Sequence, residues 1–117
     1  MKILILGGGG MVGQKLVKQI LESGLDSINP SDIYLYDLAF PKQSNMQVNL
    51  LTGDLGNLLE IKKLAIYQFD LIFHLAAIIG VKHVNKNPKD VLMQNMYLLD
   101  NLIRISNKQK KLSKFIF

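Results

Sequence analysis

The densest chemical signal in the chain is the run Gly7-Gly8-Gly9-Gly10-Met11-Val12-Gly13. Glycines at 7, 10 and 13 give a GxxGxxG spacing, and Gly8 and Gly10 begin a GxGxx run that closes on Gly13. Without side chains, such a turn is tight enough for backbone N–H groups to approach a pyrophosphate at the positive end of a following helix. Gly13 would let that helix pack closely. A glycine cluster can also be no more than a turn, so its flanks decide. Upstream, Lys2 to Leu6 is a continuous apolar run of the kind buried on both faces of a parallel sheet. Downstream, Val12, Leu16, Val17, Ile20 and Leu21 recur at helical spacing from Met11 until Ser23 and Gly24. Strand, glycine turn and helix in that order point to dinucleotide binding.

Other polar residues stand where the same chemistry would need them. Asp37 lies 24 positions after Gly13 at the end of a second apolar run, placed to accept hydrogen bonds from both hydroxyls of an adenosine ribose. A 2′-phosphate would meet a like charge there, which favours NAD over NADP, although Lys42 nearby leaves NADP open. In Gly53-Asp54-Leu55 the carboxylate can accept from an adenine amino group, or the triplet can cap the next helix. His74, in Phe73-His74-Leu75-Ala76-Ala77, reads as a satisfied structural histidine beside small residues that leave room for a cofactor. Asn95 can both donate and accept. Met11, Met93 and Met96 read as core packing. His83 has no ligand partner at metal spacing, so no metal site is expected.

The elements that must position these residues alternate. A loop from Asp26 to Asp32, holding Asn29 and Pro30, leads to a second strand, Ile33 to Asp37, closed by Pro41. Gln47 to Leu51 reads as a third strand and Leu58 to Ile66 as a helix, with Leu58, Leu59, Ile61, Leu64 and Ala65 as its apolar positions. Asp70 to Leu75 is a fourth strand, followed by a loop with Gly80 and Pro88 and an amphipathic helix from about Asp90 to Ser106. Phe115 to Phe117 starts a fifth strand, and the sequence reads as cut there. This predicts an α/β, Rossmann-type doubly wound parallel sheet in the order 3-2-1-4-5, with residues 1–117 forming one incomplete dinucleotide-binding domain.

Bulk composition narrows the class. The chain has 117 residues, 49% of them hydrophobic, enough for one modest core. Cysteine is absent, which removes disulfides and thiolate chemistry and fits a cytoplasmic setting. The N-terminal apolar stretch is too short for a signal peptide or a membrane span. The net charge of +5 is spread along the chain without interleaved aromatics, so neither nucleic acid nor a membrane is an expected partner. Its one dense run, Lys108, Lys110, Lys111 and Lys114, reads as a solvated helix end that favours cations.

Taken together, GGGGMVG, Asp37, GDL at 53–55, HLAA at 74–77 and Asn95 in a helix resemble the extended short-chain dehydrogenase/reductase family, above all its NAD-dependent sugar-nucleotide epimerases and dehydratases. The resemblance covers essentially the whole chain. It implies that Gly7, Gly10, Met11, Val12 and Gly13 form the pyrophosphate turn, that Asp37 and Leu38 hold the adenosine ribose, and that Asp54 and Leu55 meet the adenine. Leu75, Ala76, Ala77 and Ile79 would lie along the cofactor, with Asn95 behind. Leu6 and Gly9 replace residues that are usually small or Ala/Ser, and Leu98-Leu99 replaces the usual Gly-Thr. The family's catalytic Ser and Tyr-x-x-x-Lys have no counterpart here, since no Tyr has a Lys four positions on. The resemblance therefore implies an NAD-binding portion, inactive by itself, that meets a nucleotide-sugar only in a longer form. Its opening stretch is also similar to a sugar-acid dehydrogenase of the same family, and IIGVKHV onward to an epimerase or decarboxylase. A non-catalytic or regulatory dinucleotide-binding module is the alternative from another class. Self-association through the exposed edge of the fifth strand is a further expectation.

Overall fold

The computed structural model describes residues 1–23, 28–42, 47–76, 87–110, 112 and 114–116. Five parallel strands, β1 (Ile3–Leu6), β2 (Ile33–Asp37), β3 (Asn49–Thr52), β4 (Leu71–His74) and β5 (Lys114–Ile116), form one sheet in the order β3-β2-β1-β4-β5. This is the expected Rossmann-type topology. β1 is central, with Ile3 opposite Ile33 on one side and Leu71 on the other. All four of its residues are buried, as a strand covered on both faces requires.

Alternation along the strands sorts the core into two layers. Ile3, Ile5, Ile33 and Leu35 meet Val17 and Ile20 of helix α1 (Met11–Ser23) on one face. Leu4, Leu6, Tyr36 and Ile72 point the other way. There they meet α2 (Leu58–Lys62), the 3₁₀ turn Lys63–Ile66 and α3 (Pro88–Ser106), through Ile61, Leu64, Leu98, Leu102 and Ile105.

Several boundaries differ from the sequence reading. The helix expected over Leu58 to Ile66 is α-helical only to Lys62 and then tightens, with the Tyr67 N–H donating to the Leu64 carbonyl. So short a helix can bury only one side, and Leu59 is exposed while Ile61 is buried. α3 begins at Pro88 rather than Asp90, because proline lacks an N–H that the first turn could not use. Met11, Met93 and Met96 do not pack the core: all three are exposed, since α3 buries the face carrying Leu98, Leu102 and Ile105, and Met11 sits at the open mouth of α1. Lys108 and Lys110 are exposed beyond the end of α3, and Lys114 lies in β5; Lys111 is outside the described residues.

The end of the sheet opposite the glycine turn is closed by polar and aromatic contacts. The Lys2 N–H donates to Asp70 Oδ2 at 2.7 Å, and the Phe69 and Lys110 N–H groups donate to Gln109 Oε1 and Gln68 Oε1, both at 2.9 Å. Phe69 is fully buried, with its ring 5.5 Å from that of Tyr34 and 5.9 Å from that of Tyr67. Phe69→Ala would open a cavity beneath both tyrosines, and urea denaturation should register a loss of about 3–5 kcal/mol.

Candidate functional site

All the parallel strands end on one side of the sheet, and the cavity lies there. Gly7 follows β1 directly. Its N–H donates to the Tyr36 carbonyl at 2.8 Å, and its φ of +83° belongs to the left-handed region that glycine enters without penalty. A Cβ at Gly7 would also stand 2.7 Å from the Ala76 nitrogen, so a side chain is excluded twice over. Gly13 is tight for a different reason, since its Cβ would stand 2.7 Å from both the Gly7 oxygen and Gly8 Cα. The first turn of α1 thus rests directly on the glycine loop. Gly10 has no such neighbour: its Cβ would meet only the Gly7 oxygen, at 3.4 Å.

Asp37 locks this turn to β2. Its Oδ2 accepts from the Gly9 N–H at 2.9 Å and its Oδ1 from the Leu38 N–H at 2.7 Å, and each oxygen keeps further acceptor capacity. After β3, Asp54 forms a turn of its own, with Oδ1 accepting from the Gly56 N–H at 2.8 Å. Asp54 is not the helix cap. Asn57 caps α2, its side chain accepting from the N–H groups of Leu59 and Glu60. The Glu60 carboxylate reaches back to the Asp54 N–H.

Gly7, Gly10, Asp37, Leu38, Asp54, Leu55, Leu75 and Ala76 together line a cavity of about 730 Å³, within the usual range for small-molecule sites. Met11 and Val12 are exposed beside it, Gly13 is buried beneath the turn, and Asn95 is half-buried on α3; none of these lines the cavity. Ala77 and Ile79 lie outside the described residues, as does His83. Sequence reasoning missed Gly53, Gly56, Gln94 and Tyr97 as lining residues, and Leu98 appeared there only as a departure from the family pattern. Asn101 was missed as well; it is buried, and its side-chain N–H donates to the Leu55 carbonyl at 3.3 Å. Gln94, Leu98 and Asn101 share one helix face by their i, i+4, i+7 spacing, a signal that was available.

His74 stands at the end of β4, half-buried, with its ring 6.3 Å from that of Phe115. It is not the satisfied histidine expected, because Nδ1 is buried without a hydrogen-bond partner among the described residues. Burial holds its pKa below the usual 6.5, so the ring is neutral at neutral pH.

Residues 3–117 match the NAD dependent epimerase/dehydratase family. The chain belongs to that family. NAD is accordingly its cofactor. Among curated proteins the chain is similar to the D-erythronate dehydrogenase of Haemophilus influenzae, 30% identical over 119 residues that take in 100% of this chain and 37% of that one. Among solved structures it is similar to the UDP-Glc/GlcNAc 4-epimerase of Campylobacter jejuni (28% identity, TM-score 0.78), covering 99% of this chain and 36% of that one. A double mutant of the dTDP-glucose 4,6-dehydratase of Streptomyces venezuelae, solved with NAD bound, shares the fold at 18% identity and a TM-score of 0.77, over 98% of this chain and 38% of that one. The chain therefore spans little more than a third of the length of these similar proteins. Among the described residues no helix is long and apolar enough to cross a membrane.

One buried group near the cavity gives a pH signature. The Tyr36 hydroxyl lies where a Cβ on Gly53 would collide with it, and it has no hydrogen-bond partner among the described residues. Burial, with the carboxylates of Glu60 and Asp54 adding, pushes its pKa from 10.0 up to about 12. The folded state therefore keeps this proton at a pH where the unfolded chain loses it, and stability falls as pH rises through that window. Urea denaturation at stepped pH should show wild type losing up to about 1.4 kcal/mol per pH unit from this group above pH ~10. Tyr36→Phe should lack that component and be no less stable than wild type at neutral pH.

Proposed function

We propose that this cavity holds NAD, with the pyrophosphate over the glycine turn, the adenosine ribose on Asp37 and the adenine beside Asp54 and Leu55. The observation that carries the reading is the convergence of residues from four strand ends on one cavity. The local chemistry fits the cofactor. First-turn N–H groups of a helix have no acceptor within it, and those of Met11, Val12 and Gly13 take none from the described residues. They supply donors and the positive end of the α1 dipole for a pyrophosphate. Asp37 can still accept from two hydroxyls, and Asp54 Oδ2 is available to an amino group. Gly13 acts from beneath by seating the helix, Met11 and Val12 act through their backbones, and Asn95 supports the wall from α3.

NAD, when bound, supplies the hydride acceptor for oxidation of a sugar carbon. This chain's own residues bind and orient it. The complete protein is proposed to be a sugar-nucleotide epimerase or dehydratase, with the 117 residues forming its NAD-binding portion. The similarity to D-erythronate dehydrogenase favours a second reading, in which the substrate is a free sugar acid. Self-association through β5, an end strand of the sheet, belongs to the same proposal, and light scattering returning a clean monomer would remove it.

Gly10 separates cofactor binding from folding. A methyl at residue 10 would meet only the Gly7 oxygen, at 3.4 Å, so Gly10→Ala should stay within about 0.5 kcal/mol of wild-type stability. It would crowd the pyrophosphate, and calorimetric titration should show NAD affinity falling at least about tenfold, or about 1.4 kcal/mol. Gly13→Ala should instead destabilise the fold itself. Wild type should prefer NAD to NADP; equal affinity for the two would remove Asp37 from the proposed ribose contact.

A further inference from the structure

We propose that Tyr97 is the flat wall on which the adenine base of the dinucleotide packs, an inference that rests on the NAD reading of the cavity. Tyr97 lines the cavity from α3 with 59% of its surface exposed. Its ring has no aromatic partner among the described residues, whereas Tyr34 and Tyr67 pack against Phe69 and Tyr36 is buried. The remaining lining residues are glycines, Ala76, leucines, Asp37, Asp54 and Gln94. Tyr97 thus offers the only π-face in the lining drawn from the described residues.

Its position is held from both sides. One turn further along α3, Asn101 donates to the Leu55 carbonyl and ties the helix to the loop after β3. Leu98, beside Tyr97, is buried in the same core cluster as Leu55. The stretch of α3 that carries Tyr97 is thereby tied to the loop after β3, and Tyr97 lines the same cavity as Asp54, Leu55 and Gly56. A planar heterocycle entering between them would stack on the tyrosine and offer an exocyclic amino group to Asp54. Stacking suits any base because every base has a π-face, and the carboxylate adds the preference for adenine. Covering the ring would also remove a large apolar surface from water.

The chain contains no tryptophan, so tyrosine fluorescence reports directly. NAD and ADP should be titrated into wild type, Tyr97→Phe and Tyr97→Ala, following binding by calorimetry and, in parallel, by tyrosine emission. Tyr97→Ala should weaken both ligands about tenfold, the order that base–aromatic stacking contributes. Tyr97→Phe should keep wild-type affinity while losing most of the quenching that NAD causes in wild type. Circular dichroism should show both variants folded, as expected of an exposed helical site. Wild-type affinity in Tyr97→Ala would overturn the inference and leave the NAD reading intact. Equal weakening in both variants would overturn it too, by assigning the effect to the hydroxyl. Wild type that binds neither ligand would overturn the underlying reading as well.

Discussion

The close approach of three backbones at Gly7 is the constraint on which the rest depends. The residue leaves the central strand, bonds to the Tyr36 carbonyl of one neighbouring strand and touches the Ala76 backbone that exits the other. Gly13 then lets α1 settle directly against the turn. Two adjacent positions, β2–β1 and β1–β4, are set by one residue without a side chain. The strand ends converge because nothing stands between them, and the cavity is the space just outside that convergence. Chain connections run in opposite directions from this point of the sheet, which is where open parallel sheets leave a crevice.

Polarity across the cavity is divided by the same geometry. N–H groups at the start of α1 present partial positive charge on one side. Asp37 and Asp54, at the ends of neighbouring strands, present carboxylates on the other. The bonds to Gly9 and Leu38 each use only one lone pair of an Asp37 oxygen, so the carboxylate keeps acceptor capacity toward the cavity. An acidic residue here thus anchors the glycine turn, apart from the ribose contact proposed for it. Glu60 accepts from the Asp54 N–H, and burial, with these two carboxylates adding, makes the Tyr36 hydroxyl keep its proton to high pH.

β1, β2, β4 and the glycine turn were legible in the sequence because they depend on local rules: apolar runs for buried parallel strands, and glycines at fixed spacing between strand and helix. β3 was less so, running over Asn49–Thr52 rather than Gln47 to Leu51 with every second residue exposed. Once parallel crossovers are granted, handedness and length leave few strand orders, and the predicted one is observed. The helices on the second face were less legible. Apolar residues occur on both sides of α3, so periodicity alone could not tell Leu98 and Leu102, which are buried, from Met93 and Met96, which are not. The same ambiguity hid Tyr97. The Gly53-Asp54-Leu55 triplet was left open between adenine contact and helix cap because Asp and Asn both cap helices, and only the bonds from Leu59 and Glu60 assign the cap to Asn57. Pro88 looked like a loop residue, although a helix can begin on it at no hydrogen-bonding cost.

The departure at Leu98-Leu99 from the family's usual Gly-Thr is absorbed by a different way of seating α3. A glycine would bring the helix backbone against its surroundings, whereas Leu98 places a buried side chain in the core cluster that also holds Leu55, Leu6 and Leu102. The helix is held apolar surface to apolar surface, and Asn101 adds one directed bond to the Leu55 carbonyl. Because Leu55 belongs to the loop after β3, this grip passes from the helix to the cavity wall. Loop and helix can then act as two sides of one slot, with the side chain at residue 98 filling its floor and Tyr97, one position earlier, left at the opening.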